Sequence, residues 1–240
     1  MLPKIDMPVY EIKIPSNGQS ITVRPFTVKE EKLLLMAMES KDVDEVIRTV
    51  KQIVSNCLIK GKVDIDKLPF FDIDFLFVFL RGKSVGDTVD VQLTCHNTLD
   101  DGSVCGNIFE TSMDISKCEV DYSDKVSNDI KLSATQGVKM RYPSYTSMKH
   151  IENNDQIDTK VNIIANSIDY IYDENGMYSW KDHSKDELKE FVEGLTEENF
   201  NKLQDFVDNF PTIAVKLEAT CPKCGFHHNV RYTDFFDFFI

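Results

Sequence analysis

The sequence predicts an α+β fold of two pseudo-repeated halves, each reading hairpin, helices, strand and cysteine knuckle, and three observations predict it. Period-two runs closed on turn residues open each half. Runs with helical spacing follow. Each half then ends on a cysteine pair whose second member precedes a glycine: Cys95 with Cys105-Gly106, and Cys221 with Cys224-Gly225. Two thiolates gathered at one tight turn make half of a tetrahedral metal site, so the halves, 1–116 and 127–240, are expected to be joined by a shared zinc-ribbon-like site of four cysteines.

In the first half, residues 9–14 and 20–23 alternate apolar and polar side chains around Pro15-Ser16-Asn17-Gly18, the pattern of a hairpin on an Asn-Gly turn. Thr27 with Glu30 gives a capping-box pattern that opens a helix through Glu39. Residues 42–58 set Val43, Ile47, Val50, Ile53, Val54 and Cys57 at helical spacing, a second helix packed on the first, with Cys57 a small core residue. A linker over 60–69, with a turn at 64–68, leads to a third apolar segment at 72–81. Phe70, Phe71, Phe75, Phe77 and Phe79 mark this region as a core. The pattern then returns to period two: a strand over 89–94 runs into Cys95, and its partner over 107–112 follows Gly106, with the polar, turn-rich 97–103 between them.

A polar link at 117–127 precedes the second half. Ile130-Lys131-Leu132, a turn at Gly137 and a strand from Val138 repeat the order of the first hairpin. Helices are expected near 146–152 and over 159–170, 185–192 and 197–210, with Ser184 and Thr196 as caps and Glu187 and Glu198 near the helix starts. Residues 170–180, around Asn175-Gly176, read as a small extra hairpin. A strand over 214–220 enters Cys221 as 89–94 enters Cys95.

Zinc prefers four soft ligands in tetrahedral array, so Cys95, Cys105, Cys221 and Cys224 point to one structural Zn²⁺, with no position left for a reactive water. His96, His227 and His228 lie beside the knuckles and could replace a cysteine, and unmetallated thiols in a cytosolic core are the plainer alternative. Gly82-Lys83-Ser84 resembles the end of a phosphate-binding loop, but the glycine that motif requires falls at Phe77. Nothing in the sequence nominates a catalytic residue, and no enzyme activity is expected.

Forty acidic against 27 basic residues, a net charge of −13, argue against nucleic acid, because binding its backbone draws on Lys and Arg neutralising phosphates. The longest apolar run, 68–80, is interrupted by Asp72 and Asp74 and is far shorter than the roughly 20 residues a bilayer crossing needs, so no membrane contact is expected. Residues 1–8 have no apolar core of a secretory signal. A reducing cytoplasm, where paired cysteines favour metal over disulfide, is therefore expected. The end of the sequence sets Phe235, Phe236, Phe238 and Phe239 together, large anchors suited to burial in the chain's own groove or against a partner.

Several stretches carry a resemblance. Tyr10-Glu11-Ile12-Lys13-Ile14-Pro15-Ser16, Arg24-Pro25-Phe26-Thr27-Val28-Lys29-Glu30-Glu31-Lys32-Leu33-Leu34, Asp72-Ile73-Asp74-Phe75-Leu76 and Leu80-Arg81-Gly82-Lys83-Ser84-Val85-Gly86 lie in the first half. With the knuckles and Tyr232-Thr233-Asp234-Phe235-Phe236, they resemble the T4-like phage baseplate hub subunit and hub assembly family. The resemblance implies a non-enzymatic protein that helps build the central hub of a contractile-tail baseplate through contacts with other hub and tail proteins. Its place would be the virion's tail baseplate, reached from the host cytoplasm during assembly. An assembly chaperone absent from the mature virion, a zinc-ribbon nucleic-acid-binding factor and a hydrolase whose zinc keeps an open position are the alternatives.

Overall fold

The computed structural model describes residues 6–122, 126–148 and 156–238. Its strands in chain order are β1 (Tyr10–Lys13), β2 (Ser20–Val23), β3 (Leu58–Lys60), β4 (Thr88–Thr94), β5 (Ile108–Asp114), β6 (Glu119–Asp121), β7 (Asp129–Lys131), β8 (Gly137–Met140), β9 (Ile168–Asp173), β10 (Gly176–Ser179), β11 (Thr212–Thr220) and β12 (His227–Tyr232). The α-helices are α1 (Val28–Glu39), α2 (Val43–Cys57), α3 (Phe70–Ser84), α4 (Tyr145–Met148), α5 (Gln156–Asn166), α6 (Lys185–Glu193) and α7 (Glu197–Asp208). Helices beside small antiparallel sheets make this the expected α+β class.

The chain divides into two compact units. Met1–Ile65, Phe71–Asp121 and Thr212–Ile240 form the first, and Asp66–Phe70 with Tyr122–Pro211 the second. This cut differs from the expected halves at 116 and 127, because the last segment of the chain returns to the first unit.

In the first unit β1, β2 and β3 form an antiparallel sheet, with the β1–β2 hairpin turning through Gly18 at φ 69°. Thr27 caps α1, and the Glu30 carboxylate accepts the Thr27 backbone N–H at 2.7 Å, closing the expected box. Asp42 caps α2 by accepting from the backbone N–H of Asp44 at 2.9 Å. Val46, Val50, Ile53, Val54 and Cys57 form the buried face of α2. The middle of α3 is apolar all round and accordingly buried, with Phe71, Leu76 and Phe77 sealed and Phe77 stacked on Phe26 at 6.2 Å. Asp72, buried on the same helix, is satisfied by the backbone N–H and hydroxyl of Ser16. Gly82-Lys83-Ser84 ends α3. The Lys83 ammonium pairs with Asp87 at 3.2 Å, and the Ser84 hydroxyl accepts the Phe26 backbone N–H at 2.9 Å. The stretch is a helix end with structural partners.

β4 and β5 pair antiparallel, and β11 lies between β12 and β6. β6 falls within what reads as a polar link; three residues, Glu119, Val120 and Asp121, are too few to show an alternation.

The second unit is built on the sheet β10-β9-β8-β7 with α5, α6 and α7. Val138, Met140, Ile164, Ile168, Leu203 and Phe206 belong to its core, and Tyr142 stacks on Phe206 at 5.4 Å. The helix expected over 159–170 stops at Asn166, and Ile168–Asp173 is strand. Ser167 turns the chain, its hydroxyl donating back to the Ile163 carbonyl at 2.8 Å, and the aromatic and β-branched residues after it suit a pleated surface. The Asn175-Gly176 hairpin is thus the outer part of a four-stranded sheet. Ser184 and Glu187 form a capping box at α6. The Thr196 hydroxyl caps α7 by accepting from the Asn199 backbone N–H, and Glu198 pairs with Lys202 at 2.9 Å. Of the short helix expected near 146–152, residues 149–152 lie outside the described residues.

The repeat is visible in hydrogen bonding. In each unit a hairpin is followed by two helices and a strand that returns antiparallel to the hairpin's second strand. Val23 pairs with Leu58 and Thr22 with Lys60 across a register shift; Met140 pairs with Ile168 and Lys139 with Tyr170 across the same shift. The N–H of Arg24 donates to the Cys57 carbonyl at 2.9 Å and that of Arg141 to the Ser167 carbonyl at 2.7 Å. Among the described residues no helix is long and apolar enough to cross a membrane.

Candidate metal centre

Each knuckle is the closed end of a hairpin. Beyond β4, the Cys95 N–H donates to the Asn107 carbonyl at 2.8 Å and the Gly106 N–H to the Cys95 carbonyl at 2.9 Å. Beyond β11, the Cys221 N–H donates to the Phe226 carbonyl and the Gly225 N–H to the Cys221 carbonyl, both at 2.9 Å. Gly106 and Gly225 carry φ of 60° and 72°, a left-handed turn that glycine adopts without steric cost. The two knuckles differ in the length of the loop. Cys221 and Cys224 are separated by Pro222-Lys223, while 96–104 form a polar finger pinned by the Thr98–Val104 bridge.

The four sulfurs converge. All lie within 4.8 Å of one another, with Cys95 to Cys224 at 3.6 Å and Cys105 to Cys221 at 3.9 Å. A tetrahedron with metal–sulfur bonds of about 2.3 Å has edges of about 3.8 Å, so these spacings fit a four-coordinate soft-metal site. Cys95, Cys105 and Cys221 are buried and Cys224 is half-buried. The four cysteines could hold a metal ion. Their placement departs from the expected junction of two halves, since all four lie in the first unit.

The surroundings favour the thiolate at Cys221 but oppose it at Cys95, whose thiol burial pushes up to about 12, and at Cys105, whose thiol is also raised. The side-chain amides of Asn97 and Asn107 approach the sulfurs of Cys224 and Cys221, each at 3.7 Å, and the Lys223 ammonium donates to the Cys105 carbonyl at 3.0 Å. Burial works against the Cys221 anion, but the backbone N–H groups of Cys224 and Lys223 overcome it and bring that thiol down to about 6. Sequence reasoning missed the two asparagines, although each stands two places after a cysteine of the first knuckle. None of the three nearby histidines joins the group: His96 is exposed, His227 bonds the Thr220 hydroxyl through Nδ1 at 2.9 Å, and His228 packs against Phe226 at 5.0 Å. Cys57 and Cys118 lie outside the cluster, and burial pushes both thiols up to about 12.

The aromatic end of the chain is divided. Phe238 is fully buried, whereas Phe236 is 40% exposed. Phe235 begins a short 3₁₀ turn, and Phe239 lies outside the described residues.

The family model described as T4 bacteriophage base plate protein matches residues 7–240. Neither a curated protein nor a solved structure matches the chain.

Proposed function

The chain belongs to the T4 bacteriophage base plate protein family, and from that membership we propose that it is a non-enzymatic subunit or assembly protein of the central hub, held rigid by a structural Zn²⁺. The family match, which spans nearly the whole chain, carries the reading: a structural role in the phage baseplate, among other baseplate proteins.

The hub position and the zinc are the finer steps. Zinc is supported by the donor set, four thiols at tetrahedral spacing with N–H donors on their sulfurs, and a four-sulfur site has no position for a reactive water. Contacts with other proteins are supported by apolar side chains left in solvent. Val28, Leu33, Leu35 and Met36 stand exposed along α1, and Phe236 stands exposed at the end of the chain. In this reading Phe236, with Phe235 and Phe239, meets a neighbouring hub protein while Phe238 anchors the tail to its own unit.

Purified virions test both steps. Mass spectrometry should find the protein in particles, with cross-links from position 236 to a hub component, and elemental analysis of the isolated protein should give about one zinc per chain. Absence from particles would move the role to an assembly chaperone that leaves, and a chain without bound transition metal would refute the zinc.

A further inference from the structure

The repeated local structure allows the two units to be compared position by position, and one position differs in charge balance. Arg24 and Arg141 each follow the second strand of a hairpin and donate their backbone N–H to the last residue before the returning strand. In the first unit the Arg24 guanidinium grips Glu30 through both nitrogens, Nη2 to Oε1 at 2.8 Å and Nη1 to Oε2 at 3.0 Å. The same step along the chain from Arg141 falls on Ser147, whose hydroxyl donates to the Ser144 carbonyl at 2.8 Å. Among the described residues Arg141 has no ion pair, and its side chain keeps one hydrogen bond, from Nε to the Ile168 carbonyl at 2.9 Å. Trp180 covers its guanidinium at 4.0 Å. Arg141 lines a groove of about 930 Å³ together with Lys67, Lys181, His183 and Lys185, and Asp169 in the same lining acts on its charge without forming an ion pair. Asp66 and Asp169 are the acidic residues of that lining, so the groove carries an excess of basic groups on a chain of net charge −13.

We propose that this groove is a docking site for an acidic peptide segment of another protein, one of whose carboxylates takes on Arg141 the position that Glu30 takes on Arg24. Three observations carry it. The first unit supplies the geometry of the missing ligand. The groove is large enough for several residues of peptide. A guanidinium stacked on an indole keeps its in-plane donors free for the two-pronged recognition of a carboxylate. The inference does not depend on the metal centre or on hub membership.

Trp180 is the only tryptophan in the chain and touches the group concerned, so its fluorescence reads the site directly. A short capped glutamate-rich peptide, titrated into the full-length protein at low salt, should change that emission saturably, and the same peptide with glutamine should bind at least about tenfold more weakly. Arg141→Met should abolish the response. Ser147→Glu should recreate the internal pair of the first unit, raise the thermal midpoint and weaken peptide binding about tenfold or more, a result available even if Arg141→Met fails to fold. Equal binding of the glutamine peptide, an unchanged response in Ser147→Glu, or an equal response to inorganic phosphate would overturn the proposal, the last by assigning the groove to small anions.

Discussion

Arg24 and Glu30 show what a single pair contributes and when. Glu30 is 8% exposed at its side chain and takes hydrogen bonds from Arg24 and from the Thr27 cap, and these hold its carboxyl well below the ordinary range, at about 2. Arg24 also reaches the Asn56 carbonyl, so the pair ties the start of α1 to the end of α2. A depressed carboxylate stabilises the fold above its unfolded pKa, near 4.5, and that contribution is lost as pH falls towards 2. Its size at neutral pH is no more than about 3 kcal/mol. Chemical denaturation should therefore find Glu30→Gln about 2 to 3 kcal/mol less stable than the parent at pH 7, with the gap narrowing below about pH 4; a gap constant between pH 7 and 3 would refute this. The sequence shows the Thr27–Glu30 box because its members are three residues apart. It hides Arg24's part, because the Asn56 carbonyl that Arg24 reaches comes close only once α2 has folded back. The cysteine quartet is legible for another reason: thiols paired beside glycines in two knuckles are a pattern suited to a metal, whereas Asn97 and Asn107 look like ordinary turn residues until the sulfurs are in place.

Elements with a local cause were the ones the sequence disclosed. The first hairpin, α1, α2, α6 and the strands leading into both knuckles carry their own period and caps, and the structure starts and stops them within a few residues of expectation. β3 and β6 were hidden because three residues exhibit no period, and each exists only as the partner of a strand far along the chain. The end of α5 was misplaced because Ile168, Tyr170 and Ile171 are apolar enough to continue a helical stripe. Only the ladder to β8 decides that they form strand. Where a cap is local, its energy should be local as well. Asp42→Ala removes the acceptor that satisfies the Asp44 backbone N–H at the start of α2, and should cost about 1 kcal/mol, while Asp42→Ser should cost only a fraction of that. An equal loss in both variants, measured by urea denaturation, would show that the side chain acts through something other than the cap.

At the scale of the whole chain the cysteine cluster and the β6–β11 pairing bring together segments that are far apart in sequence. β11 and β12 follow the second unit in sequence, yet they join the first, where β6 pairs with β11 and the second knuckle completes the sulfur cluster. A sequence read from one end to the other assigns them to their neighbours, and that is why the expected halves and the two compact units differ at the last strands. If the metal closes this long excursion of the chain, its binding energy is folding energy for the first unit alone. The second unit has its own core around Ile164, Leu203 and Phe206 and contains Trp180. Chelation of the full-length protein should therefore lower the calorimetric transition of the first unit steeply and leave the Trp180 emission and its unfolding midpoint within a few degrees of their starting values. Cys221→Ser, which removes one ligand, should reproduce the chelated profile without chelator. A single transition that moves as one, with tryptophan unfolding in step, would mean that the two units share their stability and that the cluster supports more of the chain than the segment it joins.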